Sequence, residues 1–431
     1  MPSESHSPDL NTTPELLAPA GNLEKLRIAV AYGADAVYAG GPSWGLRARA
    51  GNFTLRELEQ GLQEAHASGC QLYLTLNSFL QPADWILLNR HIDYLNRLNP
   101  DALIVSDPAL LQLLKKETDI PLHVSTQTSC ANSAALKFWE ELGASRVVLA
   151  RELSLEDLHS LRTESTLELE VFVQGAMCSS WSGKCTISNY LSGGDANRGG
   201  CTHPCRWEYE SDRSETCQPL FSRELNMLSL LPDLLATGVN SLKIEGRMRS
   251  LHYVATMTRI YRHALDHIRQ RQLQGEDPDT ELLSELNSEA IALGNREFTS
   301  GNYRQRAGIK SISRTGTSGK PQLRYIGRLV RGQPGYSWFT VAAPFNLTTT
   351  AEQLEVVDAS AKASGDAEMN GAVSSSIPQP VILTNRDALS GPLGEQLQML
   401  RPNSVVRLPG SFDSSAILQA RRIENQQQEK P

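Results

Sequence analysis

Four cysteines crowd one glycine-rich segment of this chain, and thiols so placed can bind a metal ion or an iron–sulfur cluster. They are Cys178, Cys185, Cys201 and Cys205. Their spacing, C-x6-C-x15-C-x3-C, does not begin with the closely spaced pair that is usual in structural zinc sites. Iron–sulfur clusters are also held by four thiolates and accept less regular spacings. The spacing therefore favours a cluster over zinc, with ordinary reduced thiols as the third interpretation.

A second group of charged residues lies in the segment SLKIEGRMRS. Lys243 and Glu245 alternate along a predicted strand, so both side chains face the same side of it. If that side is the interior, they form a partly buried Lys–Glu pair, either functional or a structural salt bridge. Arg247 follows the strand, where a guanidinium group can bind a phosphate or a carboxylate. Lys243, Glu245 and Arg247 are therefore the candidate catalytic residues.

Further polar residues stand where predicted strands end, and polar groups at such positions can converge on a ligand. They are Asn77, Asp107, Gln127, Arg151 and Glu152. Each could instead cap a helix or satisfy a loop. Asp107 directly precedes Pro108 and has the form of a helix N-cap followed by proline at the first helical position.

The composition is that of a soluble globular protein. The chain has 431 residues, of which 40% are hydrophobic and 21% charged, and its formal net charge is −7. It contains no apolar run long enough to span a bilayer, and its N-terminus lacks the pattern of a secretory signal. Seven cysteines, four of them clustered, fit a reducing compartment. We expect a cytoplasmic protein without a membrane partner.

The charge is unevenly distributed, because residues 301–351 contain no Asp or Glu. Arg324, Arg328 and Arg331 belong to a set of eight basic residues in this stretch. Such a stretch in an acidic protein could bind nucleic-acid phosphates. A solvated basic face explains the charge equally well.

Short apolar runs alternate with helical patterns eight times before residue 273. The runs are ELLAPA (15–20), AVYAG (36–40), QLYLTLN (71–77), ALIVSD (102–107), PLHVSTQTS (121–129), SRVVLAR (145–151), LELEVFVQG (167–175) and SLKIEGR (241–247). This alternation predicts an α/β fold, a (β/α)8 TIM-like barrel, with an open doubly wound sheet as the alternative. In a barrel, the cysteine loop after the seventh strand lies on the face that carries active sites.

The remaining segments predict a small C-terminal β domain. We assign residues 1–14 to a disordered N-terminus and 15–300 to the barrel with its cysteine loop at 178–205. Residues 301–415 form the β domain with a flexible insertion at 358–378, and 416–431 form a tail. The insertion lacks the apolar residues that packing requires.

Several motifs resemble peptidase family U32, the collagenase-like peptidases. The resemblance rests on EVFVQGAMC (170–178), GKCTIS (183–188), the start ELLAPAGNLEKLRIAVAYGADAVYAG and the following LRARAGNF. It covers nearly the whole predicted barrel. CTHPCRWEYE and KIEGRMRSLHYVA are most similar to the branch that hydroxylates carbon 5 of the tRNA wobble uridine. The insertion at 358–378 departs from that branch.

The resemblance implies a cofactor and partners. It implies a 4Fe-4S cluster on Cys178, Cys185, Cys201 and Cys205, tRNA as substrate, and prephenate as a small carboxylate co-substrate, and it leaves room for a redox partner. Lys243 and Arg247 are then the candidates for binding prephenate, and Arg324, Arg328 and Arg331 for binding RNA. A peptidase, or a hydroxylation partner acting on ribosomal RNA or quinone precursors, remains the alternative.

The basic stretch gives a first prediction. Replacing Arg324, Arg328 and Arg331 with Ala should weaken tRNA binding and flatten its salt dependence, because fewer counterions are released from the phosphates. The slope of log affinity against log salt should fall by about 0.7–0.9 for each phosphate that the protein no longer neutralises. Titrations at several salt concentrations measure this slope. An unchanged slope would place the RNA site elsewhere.

Overall fold

The structure, a computed structural model, describes most of the first three quarters of the chain and parts of the remainder. The described residues are 13–42, 52–210, 216–294, 296–306, 308, 311–313, 321–333, 336–343, 345–346, 352–357, 381–382, 399–400, 402, 405–409, 412 and 415–422. The chain divides into two compact units. One comprises Met1–Ile291 with Arg296–Ser318, and the other Ala292–Asn295 with Gly319–Pro431.

The first unit contains twelve described strands. They are β1 (Glu15–Ala20), β2 (Ala36–Gly40), β3 (Gln71–Leu76), β4 (Ala102–Val105), β5 (Leu122–Val124), β6 (Arg146–Val148), β7 (Glu168–Ala176), β8 (Tyr209–Glu210), β9 (Thr216–Cys217), β10 (Glu224–Asn226), β11 (Ser241–Ile244) and β12 (Phe298–Thr299).

Helices connect most of these strands. They are α1 (Leu23–Ala31), α2 (Leu55–Ala67), α3 (Pro82–Asn89), α4 (Ile92–Leu98), α5 (Pro108–Glu117), α6 (Ser133–Leu142), α7 (Leu155–Glu164), α8 (Ile187–Ser192), α9 (Leu231–Leu235), α10 (Leu251–Leu273) and α11 (Thr280–Leu293). Within the described ranges, no helix has both the length and the apolar content needed to cross a bilayer.

Eight parallel strands close into a barrel. Strands β1 to β7 pair in sequence order, and β11 pairs in parallel with both β7 and β1. Each parallel crossover requires a connection long enough for a helix, which explains the alternation in the sequence. The predicted α/β class and (β/α)8 barrel are confirmed, because β11 bonds to both ends of what would otherwise be an open sheet.

Local sequence signals set the helix starts. Asp107 caps α5, since its Oδ1 accepts hydrogen bonds from the backbone N–H groups of Ala109 (2.9 Å) and Leu110 (3.2 Å). Thr54 and Ser154 begin α2 and α7 with reciprocal capping boxes. The cap interpretation of Asp107 is therefore confirmed.

Two parts of the first unit differ from the prediction. The pattern near 225–237 predicted a helix, but it contains β10, a 3-10 turn and the five-residue α9. Strand β10 pairs antiparallel with the end of β7, which extends beyond the barrel. Helix α11 was not predicted at all.

The boundary at residue 300 also requires correction. The Tyr303 hydroxyl donates to the carbonyl of Phe172 in β7 (2.6 Å). The backbone N–H of Ser313 donates to the carbonyl of Phe221 (2.7 Å). These long-range contacts attach the described residues 301–306 and 311–313 to the barrel unit, and local composition did not reveal them.

A buried ion network lies in the barrel interior. Glu170 on β7 accepts a hydrogen bond from Nζ of Lys243 (2.7 Å) and lies 3.4 Å from Nη1 of Arg146. Arg146 also pairs with Glu15 at 2.6 Å. Burial alone would lower the pKa of Arg146, but the charges of Glu15 and Glu170 outweigh burial and raise it. Burial and the charges of Arg146 and Lys243 lower the pKa of His123, so this imidazole stays neutral.

The second unit is built around an antiparallel sheet. Its described strands are β13 (Leu323–Gln333), β14 (Tyr336–Val341), β15 (Phe345–Asn346), β16 (Glu352–Val357), β17 (Val381–Ile382), β18 (Met399–Leu400), β19 (Val405–Pro409) and β20 (Ile417–Arg422). The main sheet has the order β17-β16-β20-β13-β14-β19, and β15 pairs with β18. Its core includes Ile326, Phe339 and Leu418.

Some predictions for the second unit are corrected and others fall outside the described residues. Residues 417–422, predicted as part of the tail, form β20 between β13 and β16. Apolar Ile417, Leu418 and Ala420 are buried there, although they stand next to a polar terminus. Residues 1–12, the proposed insertion at 358–378 and 423–431 lie outside the described residues.

The predicted RNA-binding arginines lie on β13 of the second unit. Arg328 and Arg331 are exposed, and Arg324 is half-buried. Their assignment to RNA stays a prediction.

The interior network gives a stability prediction. Glu170→Gln keeps the side-chain shape but leaves Lys243 and Arg146 with less compensating charge. Breaking a buried pair in this way should lower the free energy of unfolding by about 3–5 kcal/mol. Glu64→Gln is the matched control, because it breaks the exposed Arg27–Glu64 pair and should cost less than about 1 kcal/mol. Denaturant unfolding measures both, and equal losses would contradict the role given to Glu170.

Candidate functional site

A cavity of about 190 Å³ lies at the carboxyl ends of the barrel strands. Its wall includes residues at or within three positions of strand ends: Asn77 after β3, Gln127 after β5, Arg151 after β6 and Met177 after β7. This is the face on which barrel enzymes carry their active sites. The cavity is therefore the candidate functional site.

The cysteine loop forms one side of the cavity. Cys178, Cys185, Cys201 and Cys205 all line it. The loop leaves β7 and returns through β10, and it contains α8 and 3-10 turns at Ala196–Arg198 and Pro204–Arg206. The structure thus brings together four thiols that the sequence spreads over residues 178–205.

The four thiols are close enough to influence one another. Burial raises the pKa of the Cys205 thiol, nearby Arg206 opposes that rise, and the charges of the other three cysteines add to it. Among the described residues, no three His, Cys, Asp or Glu side chains form a group that could hold a metal ion. The thiols therefore share a cavity without converging on one point.

Glycine permits the loop to lie against the barrel. Gly183 has a φ of +71°, and a Cβ there would lie 2.1 Å from the backbone oxygen of Gln127. Next to it, the N–H of Ser182 donates to Oε1 of Glu152 (2.9 Å), and the Ser182 carbonyl accepts from the Ser129 hydroxyl (2.5 Å). These contacts position Cys178 and Cys185 at the cavity.

A second anchor holds the far part of the loop. Arg198 pairs with Asp84 at 2.6 Å. Asn197 donates from its amide to the carbonyl of Cys185 (3.1 Å) and accepts at its own carbonyl from the N–H of Phe79 (3.2 Å). The loop is thereby attached to the segment that follows β3.

The three predicted catalytic residues all line the cavity, but Lys243 has a different partner from the one expected. The strand pattern paired Lys243 with Glu245, whereas its ammonium group bonds Glu170 and lies 4.5 Å from the ring centroid of Tyr38. Adjacent β7 presents Glu170 inside the barrel, and a long lysine side chain reaches it across the strands. Glu245 is half-buried on the cavity wall.

Arg247 places a guanidinium group at the cavity. Its Nη2 donates to Oδ1 of Asn52 (2.6 Å), and its Nη1 lies 3.4 Å from the hydroxyl of Thr75. The side chain fits because residue 40 is glycine: a Cβ at Gly40 would lie 2.0 Å from Nη2. Arg247 is 4% exposed, so a ligand would meet it in a partly desolvated pocket.

The polar residues at the strand ends have separate roles. Asn77 donates to the Ser125 hydroxyl (3.0 Å) and to Oε1 of Gln127 (3.3 Å), and all three line the cavity. Arg151 also lines it, with its guanidinium carbon 3.9 Å from the ring centroid of Phe172. Asp107 and Glu152 instead cap a helix and anchor the loop.

An arginine group near Cys205 was missed by the sequence analysis. Buried Glu224 pairs with Arg249 and, at 2.9 Å, with Arg296. Burial, with the charges of Arg206 and Arg249, lowers the pKa of Arg296 to about 10. Arg206 and Arg249 belong to the motifs CTHPCRWEYE and KIEGRMRSLHYVA, but the sequence predicted no role for either residue. No motif in the sequence pointed to Glu224 or Arg296.

Comparison with known proteins identifies relatives of this chain. The profile of peptidase family U32 matches residues 21–313. "tRNA hydroxylation protein P1" of Bacillus subtilis (strain 168) is 40% identical over 266 residues, which cover 59% of this chain and 63% of that protein. "tRNA hydroxylation protein P" of Escherichia coli (strain K12) is 35% identical over 346 residues, covering 68% and 75%.

A relative that is named as a protease, not as an RNA-modifying protein, is also similar to this chain. "Collagenase" of Porphyromonas gingivalis (strain ATCC BAA-308 / W83) is 30% identical over 338 residues, which cover 74% of this chain and 80% of that protein. The similarity therefore spans the barrel, and the names of the relatives point to two kinds of chemistry.

The close approach at Gly183 gives a prediction with a matched control. Gly193→Ala introduces a side chain at a φ of +66° with open space around it and should cost about 1–2 kcal/mol from backbone strain. Gly183→Ala has similar strain and also forces a Cβ against the backbone of Gln127, so it should cost more and increase proteolysis of the loop. Thermal unfolding and limited proteolysis measure the two effects. Equal losses would show that the loop does not depend on this contact.

Proposed function

This chain belongs to peptidase family U32, and on that premise we propose that it is an iron–sulfur RNA-modifying enzyme. The proposed reaction is hydroxylation of carbon 5 of the tRNA wobble uridine, with prephenate as co-substrate. The observation that carries the proposal is the position of four thiols around one cavity on the active face of the barrel. The names of the Bacillus and Escherichia relatives support the choice of tRNA.

The donor set fits a 4Fe-4S cluster. Four thiolates are the complete ligand set of such a cluster, and Cys178, Cys185, Cys201 and Cys205 supply them from one loop. A cuboidal cluster has separate corners, so its ligands need not converge on one point as they do around zinc. When bound, the cluster supplies one-electron redox chemistry.

The arginine group complements this site electrostatically. Thiolate-ligated clusters are negatively charged, and charge and hydrogen bonds around them tune their potential. Arg206 and Arg296 interact electrostatically with Cys205, and Arg249 interacts with Arg206. This arrangement would offset part of the negative charge of a bound cluster.

Other residues that line the cavity offer groups for a small dicarboxylate. Lys243 is already paired with Glu170, so it would attract a carboxylate mainly through its positive charge and not through a direct hydrogen bond. Arg247 bonds the neutral side chains of Asn52 and Thr75, and its fork can also bind a carboxylate. Arg151 supplies a second guanidinium group that lines the cavity. We assign co-substrate binding to Arg247 first.

Amide groups in the cavity suit a nucleobase. Asn77 and Gln127 carry both donors and acceptors, and Ser125 links them. Enzymes that modify a base take it into a pocket and read its edge through such groups. A uracil ring entering from the strand ends would reach these amides between the cysteine loop and Arg247.

The cofactor test compares two cysteine variants. Anaerobically purified wild-type protein should hold about four irons per chain, as one cluster requires. Cys185→Ser should lose most of this iron and its visible absorbance. Cys217→Ser is the matched control, because Cys217 is exposed and does not line the cavity, and it should retain the iron. Stoichiometric zinc without charge-transfer absorbance would contradict the cluster.

The activity test uses the same variants in cells. Mass spectrometry of nucleosides from a deletion strain should show loss of 5-hydroxyuridine from tRNA. Wild type and Cys217→Ser should restore it, Cys185→Ser should not, and purified reactions should require prephenate. Unchanged tRNA would reject the proposed substrate. A change in ribosomal RNA, quinones or cleaved peptides would then identify one of the alternatives.

A further inference from the structure

Exposed aromatic side chains lie in the segments that line the cavity. Among the described residues, five aromatic side chains are exposed. Four lie in segments that line the cavity: Trp181 is 53% exposed, Tyr190 88%, Trp207 40% and Phe79 38%. The fifth, Phe138, lies on α6 of the barrel exterior. Exposed aromatic side chains concentrated in the cysteine loop and the segment after β3 point to an interaction site.

The backbone that carries each ring is hydrogen-bonded or helical. The carbonyl of Trp181 accepts from the N–H of Lys184 (3.0 Å), and the N–H of Trp207 donates to the carbonyl of Pro204 (3.0 Å). Tyr190 belongs to α8, and Phe79 is fixed to the loop by its bond to Asn197. The rings are thus attached to the same turns that position Cys185 and Cys205.

One exposed cation lies beside these rings. Of the other basic residues between Met177 and Trp207, Arg198 is already paired with Asp84, and Arg206 belongs to the arginine group near Cys205. Lys184 is exposed next to Trp181. Unpaired nucleobases stack on aromatic rings while nearby cations contact the phosphates.

We propose that Trp181, Tyr190, Trp207 and Phe79 form a stacking platform for unpaired bases of an RNA loop, beside the base that enters the cavity. The inference rests on the proposed function and specifies how its substrate is recognised. Because every base has a stacking face, the platform distinguishes unpaired from paired RNA rather than one sequence from another. It assigns substrate binding to the barrel itself, in addition to the arginines predicted on β13.

The test compares two RNA probes and matched variants. The probes are a fluorescently labelled RNA stem–loop with an unpaired loop and a blunt RNA duplex of the same length. Trp181→Ala and Tyr190→Ala should each weaken stem–loop binding roughly five- to a hundredfold and leave duplex binding unchanged. Tyr190→Phe keeps the ring and should bind like wild type. Phe138→Ala removes an exposed ring elsewhere and should also bind like wild type.

Three outcomes would overturn the platform. They are unchanged stem–loop affinity in both alanine variants, equal weakening for stem–loop and duplex, and a changed oligomeric state in sedimentation that accounts for the loss. Unchanged stem–loop affinity would leave the proposed function intact, provided that wild-type protein holds the expected iron and hydroxylates tRNA. Failure of the proposed function is instead read from absent iron or absent hydroxylation in wild-type protein.

Discussion

The barrel depends most directly on the ion pairs that the buried carboxylate of Glu170 forms. This carboxylate lies between Lys243 on β11 and Arg146 on β6, so one charge links strands on both sides of β7 at the point where the barrel closes. Two cations would otherwise be left in the interior with less compensation, at a cost of several kcal/mol. Because Lys243 is bonded to Glu170, we expect Arg247, rather than Lys243, to bind the carboxylate of a ligand in the cavity.

Close backbone approaches then determine where the cysteines lie. Gly183 rests against Gln127 and Gly40 makes room for Arg247, with separations that no larger residue could keep. These contacts fix the two walls of the cavity relative to the strand ends. A loop that carries four thiols can therefore be long and irregular and still present them at one place.

The proposed chemistry and the proposed recognition use different parts of the same loop. Cysteines face the cavity, arginines around Glu224 supply positive charge near Cys205, and aromatic rings on the same turns remain exposed to solvent. Such an arrangement would couple substrate docking to the position of the cofactor ligands. It also explains physically why apolar rings are exposed there.

The sequence alone predicted the barrel, with an open doubly wound sheet as the alternative, because eight apolar runs separated by helical patterns allow few other arrangements. It also identified the Asp107 cap and the four cysteines, since these signals are local. It could not determine the partner of Lys243, the attachment of residues 301–313 to the barrel, or strand Ile417–Arg422. Nor did it reveal the arginine group around Glu224 or the four exposed rings. These depend on contacts between residues far apart in the chain, and only the tertiary structure brings those residues within bonding distance.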